Sequence, residues 1–300
     1  MDKDIIRILE ENRLYDDNYS DVYVNKAQDF LQSYKLNKGH VNKIPKNIKR
    51  DNNGFLLLDF EPYIISDLET EGHNEKFWMV LSNGSRVLLK STAWVGIQNE
   101  LLFKYLCKWL DVPCASVDVA THCFEKYLLS PSFLGVNEYL FDYYDLYKSN
   151  DYSIDVSRLI EKAMAIKQDS FVRKMLIVDI LAQQQDRFPA NFKVVKNSKK
   201  TRICPLFDNE ILEINSYMLR DKTYPSINLS TNDDDVITYL LEDHKFKQWC
   251  LDKIILRQIP DFKEMIRKDK GIYIDDAVSD SFNRTVKDGK ALILDNYKYN

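Results

Sequence analysis

A chain of 300 residues, 45% of them hydrophobic and 29% charged, can bury a sizeable core, which excludes disorder as its main state. Its 42 Lys and Arg against 46 Asp and Glu give a net charge of −4, so no global positive field exists to hold nucleic acid or an anionic membrane. Eight Gly and eight Pro leave little room for low-complexity linkers.

The opening stretch MDKDIIRILEENRLYDDNYSD breaks its apolar positions with charges every few residues, so it lacks the apolar run of a signal peptide. The patterns IIRILEENRLY and VNKAQDFLQSY predict two amphipathic helices, and residues 1–45 read as a helical N-terminal extension. A basic, apolar-poor connection follows over 35–52. From Gly54 to Lys90 the pattern turns to strands, FLLLDFEPYII, KFWMVL and RVLLK. The last two flank Ser82-Asn83-Gly84-Ser85, and Asn-Gly between β-rich runs predicts a hairpin, because a type I′ turn needs positive φ at both central residues.

The next segment, NELLFKYLCKWLDVP, predicts a helix with Asn99 as its N-cap, Leu102, Leu106, Trp109 and Leu110 on one stripe, and Pro113 past its end. SVDVATH and KYLLS predict another strand pair turning near Glu125. Beyond Asp155 the chain reads as mostly helical: VSRLIEKAMAI, SFVRKMLIVDILAQQ, then a hairpin in NFKVVKNSKKTRICPLF, then helices from about Val236 onward. The expected class is α+β, with a small β-rich lobe over 46–122 and a mostly helical lobe over 123–300. No segment approaches the roughly 18 apolar residues of a membrane span, and the longest, MLIVDILA, already contains Asp179. Five cysteines (Cys107, Cys114, Cys123, Cys204, Cys250) without a CxxC pair point to reduced, mostly buried thiols in a cytoplasmic protein.

The chemistry-bearing stretch is DILAQQQDRFPANFKVV followed by ICPLFDNE. A helix ends near Gln185, a Pro-containing loop holds Asp186 and Asn191, and a hairpin then delivers Asp208. Phosphoryl transfer needs a carboxylate to orient the attacking hydroxyl, an amide oxygen and a second carboxylate to hold Mg²⁺ on nucleotide phosphates, and a cation to neutralise remaining charge. Lys90 at the end of RVLLK is the candidate cation, with Glu100 placed to pair with it. Taken singly, Lys90 reads as a solvated strand end and Glu100 as a charge favoured near a helix N-terminus. The specificity lies in the order Lys90, Glu100, Asp186, Asn191, Asp208 along alternating strand, helix and loop.

These residues resemble the HipA-like Ser/Thr protein kinases, in their compact, CtkA-like branch. The resemblance covers about residues 72–240 and rests on NELLFKYLCKWLDVPCASVDVA, LLSPSF, DILAQQQDRFPAN and CPLFDNE, which echo the family's S-x-x-F, D-R-H-x-x-N and P-L-x-D patterns. It implies a two-lobed protein-kinase-like fold and a kinase that uses ATP and Mg²⁺ on a protein substrate. Asp186 would then be the catalytic carboxylate, Asn191 and Asp208 the metal holders, and Lys90, anchored by Glu100, the phosphate binder. A lid over TEGHNEKFW would present Gly72 and Lys76 to phosphate, and the main chain at Thr121 and His122 would meet adenine. Phe188 stands where the family has His, and Gln183 to Gln185 stand in place of Gly-Asn. A DNA-binding partner and a membrane are not expected. Autophosphorylation is expected on TYPSINLST (223–231), Ser66 or Thr70, the polar stretches able to reach a γ-phosphate. The alternatives are a pseudokinase that binds a nucleotide or partner without transfer, and a lipid or small-molecule kinase.

Overall fold

Every second residue along four neighbouring strands is apolar, and that alternation builds the core of the first part of the chain. The computed structural model describes residues 44, 48–58, 63–66 (main chain only), 75–81, 85–134, 138–142, 155–184, 187, 191–209 and 232–299. The expected N-terminal helices, Gly72, Thr70, Asp186, Phe188 and the segment 223–231 lie outside the described residues, as does the side chain of Ser66. The chain divides into two compact units, one from the described residues up to 97 together with 115–136, the other from 98–114 and the described residues beyond 137.

The first unit is a six-stranded sheet built from β1 (Leu56–Leu57), β2 (Tyr63–Ser66), β3 (Lys76–Leu81), β4 (Arg86–Lys90), β5 (Asp118–His122) and β6 (Glu125–Pro131). Its order is β1-β5-β6-β4-β3-β2. All neighbours are antiparallel except β1 and β5. Met79 and Leu81 of β3, Val87 and Leu89 of β4, Ala120 of β5, and Tyr127 and Leu129 of β6 bury one face together with Ile48, Leu56 and Leu58. The sheet thus runs on past residue 122, with β6 between β4 and β5. At its margin Arg50 grips the buried carboxylate of Asp118 through two hydrogen bonds, 3.1 and 2.9 Å.

Strands β3 and β4 pair as a hairpin, with Leu81 N–H donating to Ser85 C=O, and the Asn83-Gly84 turn expected between them lies outside the described residues. A two-residue turn with positive φ at both positions is found at Cys123-Phe124, at 50° and 67°, between the paired His122 and Glu125. Phe124 is wholly exposed and Cys123 is exposed, whereas Cys107, Cys204 and Cys250 are buried and Cys114 is intermediate.

Helix α1 (Trp94–Leu110) begins five residues earlier than its sequence pattern suggests. Asn99 is therefore not an N-cap. It lies in the second turn, buried, with neither amide atom hydrogen-bonded within the structure. The aromatic and branched residues at 94–97 are poor helix starters by propensity, but burial of Ile97 and Leu101 outweighs that small preference.

In the second unit, α2 (Val156–Ala165) and α3 (Asp169–Ala182) precede the hairpin β8 (Lys193–Lys196) and β9 (Thr201–Ile203), which β7 (Tyr139–Asp142) extends to three strands. Helices α4 (Asp233–Leu241), α5 (His244–Cys250), α6 (Phe262–Lys270) and α7 (Asp276–Tyr299) follow, with one π-helical turn at Leu251–Ile255. Asp155, Asn232, Asp243 and Asp261 cap α2, α4, α5 and α6, each accepting from main-chain N–H groups of its helix's first turn. Helix α3 is buried almost all round from Met175 to Ala182, as a central helix must be. It packs on α2, α4 and α7. No helix among the described residues is long and apolar enough to cross a membrane.

The α3–α7 contact is close enough to need glycine. A Cβ added at Gly289 of α7 would lie 2.7 Å from Leu181 Cα and 3.0 Å from Ile180 O, both main-chain atoms that cannot step aside. Gly289→Ala gains about 1 kcal/mol of helix propensity but overpacks the contact, and a net loss of about 1–2 kcal/mol is expected in a urea titration. A stabilised variant would show that the two helices can part without cost. Native-state alkylation with iodoacetamide should modify Cys123 first, since the buried thiols are shielded; mass spectrometry showing Cys107 or Cys250 labelled as fast would refute the placement of these groups.

Candidate active site

An aspartate in the middle of an apolar, fully buried helix must find a partner or give up its charge. Asp179 of α3 finds Arg187, which is equally buried: Nε donates to Oδ2 at 2.9 Å and Nη2 to Oδ1 at 2.8 Å. Burial raises the Asp179 carboxyl above its ordinary value despite the guanidinium beside it. Burial also opposes the charge on Arg187, but Asp179 outweighs it and keeps the guanidinium protonated. Helix α3 ends at Gln183, which adopts a left-handed φ of 50° and turns the chain toward Arg187.

The rest of the guanidinium gathers two loops. Nη1 donates to Asn191 C=O at 3.3 Å and to Phe207 C=O at 3.2 Å, and Nη2 donates to Asn209 Oδ1 at 2.8 Å. Asn191 N–H in turn donates to Arg187 C=O at 3.2 Å. The β8–β9 hairpin makes this convergence possible, because Cys204 N–H bonds Lys193 C=O at 3.0 Å and brings the chain back beside the start of β8. Leu206 N–H then bonds Pro113 C=O at 3.1 Å, which ties the same loop to the segment after α1. Asn191 and the residues on both sides of Asp208 are thus held by one side chain.

Asp208 itself has a φ of 50°, a left-handed conformation uncommon outside Gly, though Asp and Asn enter it more readily than most. Its neighbours fix it there. Glu100 of α1, buried, accepts from Asn209 N–H at 2.7 Å and from Asn209 Nδ2 at 3.3 Å. Glu100 therefore has a role in holding the Asp208 loop that its position in the sequence does not reveal.

Of the expected phosphate binders, Lys90 ends β4, buried, and Lys76 opens β3 directly across from it. Lys76 is thus in a strand, not in a Gly72-centred loop. The bonds Leu81 N–H to Ser85 C=O and Ser91 N–H to Glu75 C=O set the alternation, and Lys76–Lys90 falls on a non-hydrogen-bonded pair, where Cα atoms approach to about 4.5 Å. Both lysines lie on the face opposite Met79 and Leu89.

Thr121 and His122, expected to meet adenine through their main chain, lie in β5, where Thr121 stands opposite Lys126 of β6 and Leu57 of β1 and His122 stands opposite Glu125 of β6. The His122 ring packs with Phe77 and Tyr127, at 6.1 and 6.4 Å between centroids, on the face away from Lys90. The carboxylate of Asp208 and the amide oxygen of Asn191 are hard oxygen donors that suit Mg²⁺, which takes one or two protein ligands and shares the rest with phosphates. Asp179, Arg187 and Asn209 were no part of the expected set, though Asp179 inside MLIVDILA already demanded a buried partner.

Neither models of protein families nor curated proteins match the chain. Solved structures do. The proinflammatory kinase CtkA of Helicobacter pylori superposes with a TM-score of 0.61 at 14% identity, over 78% of this chain and 94% of that one. HipA from the HipA–HipB–operator DNA complex of Shewanella oneidensis MR-1 gives a TM-score of 0.41 at 11% identity, over 77% of this chain and 65% of that one. With a sheet-built first part and a helical second part, the chain is an α+β protein with the two-lobed, kinase-like fold of CtkA.

Proposed function

We propose that the chain is an ATP- and Mg²⁺-dependent protein kinase that transfers the γ-phosphate to Ser or Thr of a protein, itself included. The observation that carries this reading is the grip of the single Arg187 guanidinium on the main chain at both Asn191 and Phe207. It links the loop that bears an amide oxygen to the loop that bears a carboxylate, the donor pair that phosphoryl transfer asks for. The kinase-like fold supports the same reading.

In this proposal Asp186 accepts the proton of the attacking hydroxyl, whose oxygen forms a bond to the γ-phosphorus as the bond to the β-phosphate oxygen breaks and ADP departs. Asn191 and Asp208 would hold the metal, which would supply positive charge against the charge that develops on the phosphates. Lys90 and Lys76 supply positive charge to the phosphates, with Glu100 anchoring Lys90 as part of the same proposal. Their cross-strand pairing, which sets two cationic side chains on one face of the sheet, supports that role.

Two substitutions test the assignment. Asp208→Asn should reduce the thermal stabilisation by ATP with Mg²⁺ to the level seen with ATP and EDTA. Asp186→Asn should keep that stabilisation and lower transfer to casein by at least about 100-fold, the contribution of a positioned general base. Wild-type protein that binds Mg²⁺-ATP yet yields no phosphoprotein by mass spectrometry would replace the kinase with a nucleotide-binding pseudokinase.

A further inference from the structure

Residue 208 is bracketed. The carbonyl before it accepts from Arg187 Nη1 at 3.2 Å, and the residue after it, Asn209, makes three hydrogen bonds. Asn209 is buried, and its side chain faces two groups of opposite character at once. Its Oδ1 accepts from the Arg187 cation at 2.8 Å and its Nδ2 donates to the Glu100 anion at 3.3 Å, while its main-chain N–H donates to the other oxygen of Glu100 at 2.7 Å. Only a side chain that offers both an acceptor and a donor on one short planar group meets both demands. A carboxylate of the same shape cannot donate when ionised, and an apolar group would leave one buried charge on each side short of a partner.

A left-handed φ at a residue other than Gly persists when its surroundings over-determine it. Here the over-determination comes from the main chain on both sides of Asp208: one side is held by Arg187, and the other by Glu100 and Arg187 through Asn209. We propose that Asn209 is a positioning residue for metal binding: it joins Glu100 on α1 to the Arg187 cluster and so holds Asp208 in the conformation that presents its carboxylate to Mg²⁺. This inference rests on the kinase reading of the site. It assigns to Asn209 no contact with metal or substrate.

The pattern of hydrogen bonds allows a swap. Asn209→Asp alone sets a carboxylate against Glu100 and loses the donor. Glu100→Gln alone places an amide N–H against Asn209 Nδ2. Combined, the two substitutions restore every bond with the charge moved across: the new carboxylate accepts from Arg187 and from the new amide, whose oxygen accepts the main-chain N–H of residue 209. The measurement is the Mg²⁺ concentration that gives half of the thermal stabilisation by ATP, set beside ATP binding in EDTA. Loss of a group that orients a metal ligand costs about ten- to a hundredfold in metal affinity. Asn209→Asp should raise the Mg²⁺ midpoint by about tenfold or more, with ATP binding in EDTA unchanged, and the double variant should recover most of it.

A midpoint equal to wild type in Asn209→Asp, or a double variant no better than Asn209→Asp, overturns the inference. Where Asn209→Asp does not fold, Asn209→Ser decides: a raised Mg²⁺ midpoint with intact ATP binding in EDTA supports the inference, and an unchanged midpoint, or a loss of metal-free binding alone, overturns it. Wild-type protein with no Mg²⁺-dependent response to ATP overturns the kinase reading, and the inference falls with it.

Discussion

The second unit is organised around one buried cation. A guanidinium carries five N–H donors in a rigid fork, and at Arg187 all five are used, on both oxygens of Asp179, the carbonyls of Asn191 and Phe207, and the amide oxygen of Asn209. A charge taken out of water at this depth is tolerated only when its partners are placed beforehand. Helix α3, buried from Met175 to Ala182, places Asp179, and the β8–β9 hairpin returns the second loop within reach. The loops cannot separate without stranding a positive charge, so the cost of moving one is the cost of moving both. Lysine at this position would keep the charge and lose the fork.

The sheet of the first unit poses the opposite problem. Its apolar face is satisfied by Met79, Leu81, Val87, Leu89 and Leu129, but its other face sets Lys76 and Lys90 across from one another. Two cationic side chains on one face concentrate positive charge there, and a ligand of the complementary charge suits such a face.

Strand periodicity made most of the sheet legible: KFWMVL and RVLLK alternate and are paired as expected, and the helix after Lys90 is where its apolar stripe puts it. What the pattern missed, it missed for identifiable reasons. Asn99 looks like a cap because caps favour short polar side chains, but a helix buried along Ile97 and Leu101 extends through it to Trp94. A two-residue turn with positive φ sits at Cys123-Phe124, where neither residue advertises it, because the register of β5 and β6 demands a two-residue turn there. The pairing of β1 beside Thr121 was hidden because a strand of two residues is too short for any periodicity to reveal. The site's ordering Lys90, Glu100, Asn191, Asp208 was readable as a list, but Asn209 as the link between Glu100 and Arg187 depends on contacts across 109 and 22 residues of sequence, which spacing does not encode.

The close seat of Gly289 against Leu181 carries a consequence for synthesis. Asp179 and Arg187 leave the ribosome with the first loops, and Asp208 soon after, yet the wall that covers α3 near Leu181 belongs to a helix made some 80 residues later, roughly four to sixteen seconds at ordinary elongation rates. Until α7 arrives, the side of α3 at Ile180 and Leu181 lacks the neighbour that packs on it. A nascent chain that already holds Asp179, Arg187 and Asp208 is therefore still short of one wall of the helix that carries the first of them.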